Sequence, residues 1–400
     1  QTAYQILVAS KSSLLKEGKA DLWDTGKVES SNSVLIPYNG KHINSGFEAF
    51  WKVRVYDEKN EVSEWGPVAS FIVGLIDKSD WLASYIGYNV EAGFKECPQV
   101  YKSFEIENND LKYFLHVNSL GYHEVYLNGK KVGNGVLTPA VSQYGKRSLI
   151  NTYDLSPYLE EGENNLMFWL GSGWYTEGLF EVVSTGPLVR AQLEKIDKNN
   201  QKEIVLVTDG SWSGRLSSYR RTGTWKPHRF GGEIIDGNLA KSDLIIKEQE
   251  GRAWNPVTVV PVPEHQVTPQ MVELNEITDT IGPVAIVQVA QDTFIIDMGQ
   301  NLTGWFEMHF QDLMKDQEVV IEYFDHLDDF NSFVPPDKYI GAGEGQEVFK
   351  NKFNYHGFRY LRIANLPVMP ELDSIRGYLI HTGYERSSGF ECSDNDLNKI

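Results

Sequence analysis

In Asp297-Met298-Gly299-Gln300-Asn301-Leu302-Thr303-Gly304-Trp305, two glycines, an asparagine and an acid interrupt a chain that otherwise reads as β-strand. The run before it, Thr293-Phe294-Ile295-Ile296, is β-like. The run after it, Phe306-Glu307-Met308-His309-Phe310, alternates large apolar and polar side chains, the period of a strand. Gly299 and Gly304 admit backbone angles that other residues resist, and Asn301 tolerates turn geometry. The residues alone predict a strand, a rigid polar corner and a second strand, with no chemistry required of the corner. Asp297 is expected to cap a backbone amide in that turn through a charge-assisted bond.

Working outward, 400 residues are too many for one ordinary core, so two to four domains are expected. The 10 Trp, 20 Tyr and 19 Phe suit β-rich structure, and they suit sugar binding equally well. A net charge of −18 repels phosphate backbones and argues against nucleic acid as a partner. No apolar run reaches the length of a membrane span. Cys97 and Cys392 cannot make a disulfide framework or, by themselves, a structural zinc site, and they leave the compartment open. Phosphate-loop, zinc and dinucleotide spacings are absent. The sequence opens at Gln1 with no charged-then-apolar leader, so either a leader was removed or the sequence is a cut piece.

The pattern predicts an all-β protein of three β-sandwich units in series, with the start of a helix at the C-terminus. Residues 1–76 carry alternating runs at Ala3–Val8 and Phe50–Asp57, with Trp51, Val53 and Val55 on one face. They resemble a fibronectin type III-like sandwich with fewer than its usual seven or so strands. Residues 80–251 read as a jelly-roll-like unit, with Asn128-Gly129 as the strongest short hairpin signal. Residues 252–270, holding Pro256, Pro261, Pro263 and Pro269, read as a connector. Residues 271–385 form the third unit, and 386–400 begin a helix. Ser393, with Asp396 three residues on, is its start signal.

Two segments carry a family resemblance. The nonapeptide is similar to the Asp-Phe-Gly-Gln-Asn-x-x-Gly-Trp corner of bacterial α-L-rhamnosidases, with Met298 in the position usually held by Phe. Tyr355-His356-Gly357-Phe358-Arg359-Tyr360 matches the same family's Tyr-His-Gly-Phe-Arg-Tyr segment. In the second unit, Tyr126–Gly129, Tyr153–Leu155, Gly173–Tyr175 and Thr208–Trp212 follow the order of that family's N-terminal domain. The resemblance implies removal of terminal α-L-rhamnose with inversion, which needs two carboxylates about 6.5–9.5 Å apart. It places both in a helical domain after residue 400, so no catalytic residue is assigned here. It also implies rhamnose-containing glycans or glycosides as partners and a periplasmic or extracellular setting. Calcium is a candidate cofactor, because some members bind L-rhamnose with calcium in a domain of this kind. Two other readings compete. One is a free-standing carbohydrate-binding or adhesion protein, and the other is a purely structural spacer.

Trp174 and Tyr175, beside Gly171 and Gly173, are the candidate carbohydrate-binding residues; the alternative is an aromatic pair inside the sandwich. His356 is expected to be a structural hydrogen-bonder, since no nucleophile motif accompanies it. Arg359 and Arg362, three apart in a strand, should point to opposite faces, at least one of them inward or paired. The Asp325–Asp337 loop, with Asp328 and Asp329, is either solvated or the rim of a site or cation site. Asp394-Asn395-Asp396 is better read as a cap than as a calcium loop.

Overall fold

The computed structural model describes all residues except 76, 92–94, 176–184, 198–200, 224–230, 248–251, 262–263, 328–334, 386–387 and 400. Its strands form three sheets, of five, fifteen and seven strands.

The first unit contributes the five-stranded sheet. Ala3–Ala9 pairs antiparallel with Glu48–Tyr56 along its whole length. The alternation of Glu48–Tyr56 is as read. However, Trp51 and Val55, both 36% exposed, lie on the more open face, while Ala3, Leu7, Ala9 and Ala49 are the fully buried residues. Val34, Leu35, Ile36 and Tyr38 of a loop line a cavity over that open face.

In the second unit the seven-stranded sheet packs on part of the large one. Leu115 and Val117 of Lys112–Leu120 meet Leu166 and Phe168 of Gly162–Gly171 in one core. The hairpin at Asn128-Gly129 is a two-residue turn with φ 50° and 78°. This is the left-handed pair that matches strand twist, and it sets Leu127 opposite Lys130.

Two expectations change here. The proline-rich segment contains strands that complete the second unit. Asn255–Pro256 pairs with Ser213–Arg221, Thr258–Val260 with Tyr85–Gly87, and Gln266–Pro269 runs parallel to Arg147–Asp154. Proline lacks the amide donor but suits extended edges, so the same composition serves a linker or an edge strand. Nor are the second and third units merely in series. Glu233–Asp236 pairs parallel with Asp337–Ile340, so the fifteen-stranded sheet runs unbroken from one into the other.

The predicted corner is a bulge inside a single strand, Thr293–Gln311. Against His356–Ala364 the register jumps from Asp297–Tyr360 to Leu302–Phe358. Met298 is 1% exposed and belongs to the third unit's core with Phe306, Phe310 and Phe358. An apolar residue is what that position requires. At the far end, Leu397–Lys399 is a 3-10 turn. Asp394 accepts from the amides of Asp396 and Leu397, so the cap is Asp394 and not Ser393.

Candidate functional site

Gly162–Gly171 is paired on both sides in its sheet, and beyond it the chain turns at Gly173-Trp174. Gly173 has φ 51°, and a side chain there would lie 3.2 Å from the Tyr122 ring. The turn sends Trp174 and Tyr175 to different places. Tyr175 is buried against Tyr85, Leu120 and Leu188, edge-on to Tyr144 at 5.2 Å between ring centroids. Among the described residues this burial places Tyr175 with the sandwich interior and not on the cavity that Trp174 lines. Trp174 is half-buried and lines a cavity of about 220 Å³.

The other walls of this cavity come from both the second and the third unit. Thr303 and Gly304 of the nonapeptide and Tyr355 of the second motif line it with Tyr122 and Asn275. The single indole N–H of Trp174 faces the hydroxyls of both Tyr122 and Tyr355. Burial pushes both phenols upward in pKa, so each remains a neutral hydroxyl. Among the described residues the lining holds hydroxyls, an amide and an indole, but no carboxylate. Such a surface can hold an uncharged, hydroxyl-bearing ligand, but it cannot supply an acid–base pair. Reasoning from sequence treated Trp174 and the corner as parts of separate domains. Their only advance signal was that each sat in a motif.

The corner itself is built as expected and then reinforced. Asp297 accepts from the Gly299 amide at 2.7 Å, and from Arg359 through Nε at 2.9 Å and Nη2 at 3.1 Å. Arg359 holds its carboxyl below the usual range. Arg362 forks onto Glu322 at 2.6 and 2.9 Å. Both arginines are therefore paired.

Asp337 departs from the solvated-loop reading. It opens the strand Asp337–Ile340 and is fully buried. It accepts from Tyr323 at 2.5 Å, Asn351 at 2.6 Å, His356 at 3.1 Å and the Glu233 amide at 2.6 Å. His356 stacks on Tyr323 at 3.8 Å, as befits a structural hydrogen-bonder. Glu233 takes the Phe353 and Lys352 amides, and burial beside Asp337 pushes it up to about 8. This network pins the parallel strand pair that joins the units. Asp325 is exposed, and Asp328 and Asp329 lie outside the described residues. No cluster of three or more His, Cys, Asp or Glu suited to a metal occurs among the described residues. They offer calcium no such clustered carboxylate site.

Three family models match successive stretches of the chain. A Rha78A-like N-terminal immunoglobulin domain covers residues 1–77, an α-L-rhamnosidase N-terminal domain 111–279, and a bacterial α-L-rhamnosidase concanavalin-like domain 287–381. An α-L-rhamnosidase of Formosa agariphila is 28% identical over 446 residues, spanning 100% of this chain and 46% of its own length. The α-L-rhamnosidase structure from Dictyoglumus thermophilum superposes with TM-score 0.85 at 29% identity, over 100% of this chain and 47% of that one. The Streptomyces avermitilis enzyme, solved with L-rhamnose, shares the fold with TM-score 0.85 at 20% identity, over 100% and 56%. The chain spans about half the length of these relatives. By its immunoglobulin-like, N-terminal and concanavalin-like β domains, it belongs to the α-L-rhamnosidase family.

Proposed function

We propose that these domains are the non-catalytic β portion of an α-L-rhamnosidase-type hydrolase that removes terminal α-L-rhamnose from glycosides or polysaccharides, and that the Trp174 cleft is where they touch sugar. One observation carries the second part. The cleft joins Trp174 to both sequence motifs and is lined by neutral hydrogen-bonding groups without a carboxylate. An aromatic wall with a few convergent polar groups is how a rigid scaffold holds a small polar ligand.

The test has two arms. The 400-residue chain should not turn over an aryl α-L-rhamnoside; hydrolysis abolished by changing an acid within it would overturn the first part. Calorimetry with L-rhamnose, with and without calcium, should show binding that Trp174→Ala weakens at least tenfold. Unchanged affinity in that variant would remove the cleft from the account.

A further inference from the structure

The strand Thr293–Gln311 separates two cavities. Gly304 lines the Trp174 cleft. Trp305, the next residue and therefore on the opposite face, lines a second cavity of about 460 Å³. The strand Asn275–Ile281, on the far side of Ile375–Thr382 in the same sheet, divides likewise, with Asn275 on the first cavity and Glu276 on the second. The second cavity lies within the roughly 300–1,000 Å³ of small-molecule sites.

Its walls come from both units: Glu124, Tyr126 and Lys131 from one, and Glu276, Trp305 and Lys352 from the other. Glu124 is 4% exposed and accepts from Lys131 at 2.6 Å, Lys352 at 2.7 Å and the Tyr126 hydroxyl at 2.8 Å. Lys352 also lies 4.4 Å over the Trp169 ring. Lys350, also in the lining, is answered by Glu307 at 2.8 Å. With Glu276 on the wall, positive and negative charges balance, so the cavity attracts neither anions nor cations by net charge.

Hydrogen-bonding capacity remains nonetheless. An ammonium group carries three donors, and Lys131 uses one on Glu124. Glu276 carries acceptors. The Trp305 indole N–H is buried in a residue 4% exposed, and it has no acceptor among the described residues.

We propose that this cavity is a second sugar site, taking a neutral sugar unit beside Trp305 with its hydroxyls accepting from Lys131 and donating to Glu276. Charged residues in balanced pairs discriminate for a polyol, which donates and accepts at once, over a carboxylate, which only accepts. This assignment is independent of the Trp174 cleft.

The test is ligand-observed NMR titration of the whole chain carrying Trp174→Ala, which silences the first cleft. L-rhamnose, D-glucose and D-glucuronate are the probes. At least one neutral sugar should bind, and Glu276→Gln and Lys131→Met should each weaken it about tenfold, as loss of a hydrogen bond to a charged group does. Glu276→Gln is at a partly exposed position and should leave the melting curve unchanged, whereas Lys131→Met takes a partner from buried Glu124 and is titrated well below its lowered melting temperature. No binding of either neutral sugar, equal affinity in both variants, or preference for D-glucuronate would each overturn the proposal.

Discussion

Gly304→Ala is the sharpest test of the bulged strand. A Cβ at this position would lie 1.9 Å from the carbonyl oxygen of Tyr378 and 3.1 Å from the Ile380 nitrogen. Both atoms are backbone in the paired strand Ile375–Thr382, where Gly304 faces Leu379. Reaching an ordinary C···O contact of about 3.3 Å needs a retreat of roughly 1.4 Å. Ladder hydrogen bonds span only about 0.5 Å of useful range, so at least one is lost. Overpacking of this kind costs about 1–3 kcal/mol and the lost bond about 1 kcal/mol, giving about 2–4 kcal/mol. Gly357→Ala is the matched control in the neighbouring strand. Its Cβ would meet only Thr303 Oγ1, at 3.8 Å. That change should be neutral or stabilise by up to about 1 kcal/mol through the unfolded state. Urea titration followed by tryptophan fluorescence reads both variants. Midpoints for the two variants that agree within about 0.5 kcal/mol would refute the steric reading. Gly304 also lines the Trp174 cleft, so Gly304→Val should weaken sugar binding as well as stability.

The remaining predictions concern charge. Glu233 stays protonated in the folded protein up to about 8, while the unfolded chain releases that proton near its ordinary 4.5. Stability should therefore fall as pH rises from about 4.5 to about 8, by a few kcal/mol, and level off above. Glu233→Gln should flatten that slope in urea titrations across the range, and a slope unchanged in the variant would contradict the assignment. Asp297→Asn keeps an acceptor for the Gly299 amide but loses the ion pair with a partly exposed Arg359. It should cost less than about 1 kcal/mol, shrink with salt, and rank well below Gly304→Ala. Lys352→Met leaves buried Glu124 with Lys131 alone and should cost about 3 kcal/mol or more. A melting temperature unchanged by that substitution would mean Glu124 is better solvated than its burial indicates.

What the sequence disclosed follows from the range of each signal. The alternation of Phe306–Phe310 and the Asn128-Gly129 turn are local, and both appear as read. The nonapeptide's glycines and asparagine suit a corner and a bulge equally. Only pairing with His356–Ala364, about sixty residues away, decides between them. Adjacent Trp174 and Tyr175 were bound to diverge, but nothing local says which turns inward, because Tyr175 is buried by Tyr85 and Leu188. Asp337 looked like its loop neighbours, since the Tyr323, Asn351 and Glu233 groups that surround it are remote in sequence. The Trp174 cleft was invisible for the same reason: it exists only once the large sheet has closed across both units.

The parallel pairing of Glu233–Asp236 with Asp337–Ile340 has a consequence for synthesis on the ribosome. Ile234 pairs with Lys338, so its partner emerges roughly a hundred residues later. At about 5–20 residues per second, the nascent sheet presents an open edge for some 5–20 seconds. During that interval Glu233 lies beside an unfilled flank, and its carboxylate is free to ionise in water. An unpaired edge is a template for the wrong strand, including that of a neighbouring nascent chain. A charged Glu233 at that edge discourages such pairing until Asp337 and its hydrogen-bonding partners arrive. The later neutralisation of Glu233 would then mark the moment at which the edge is sealed.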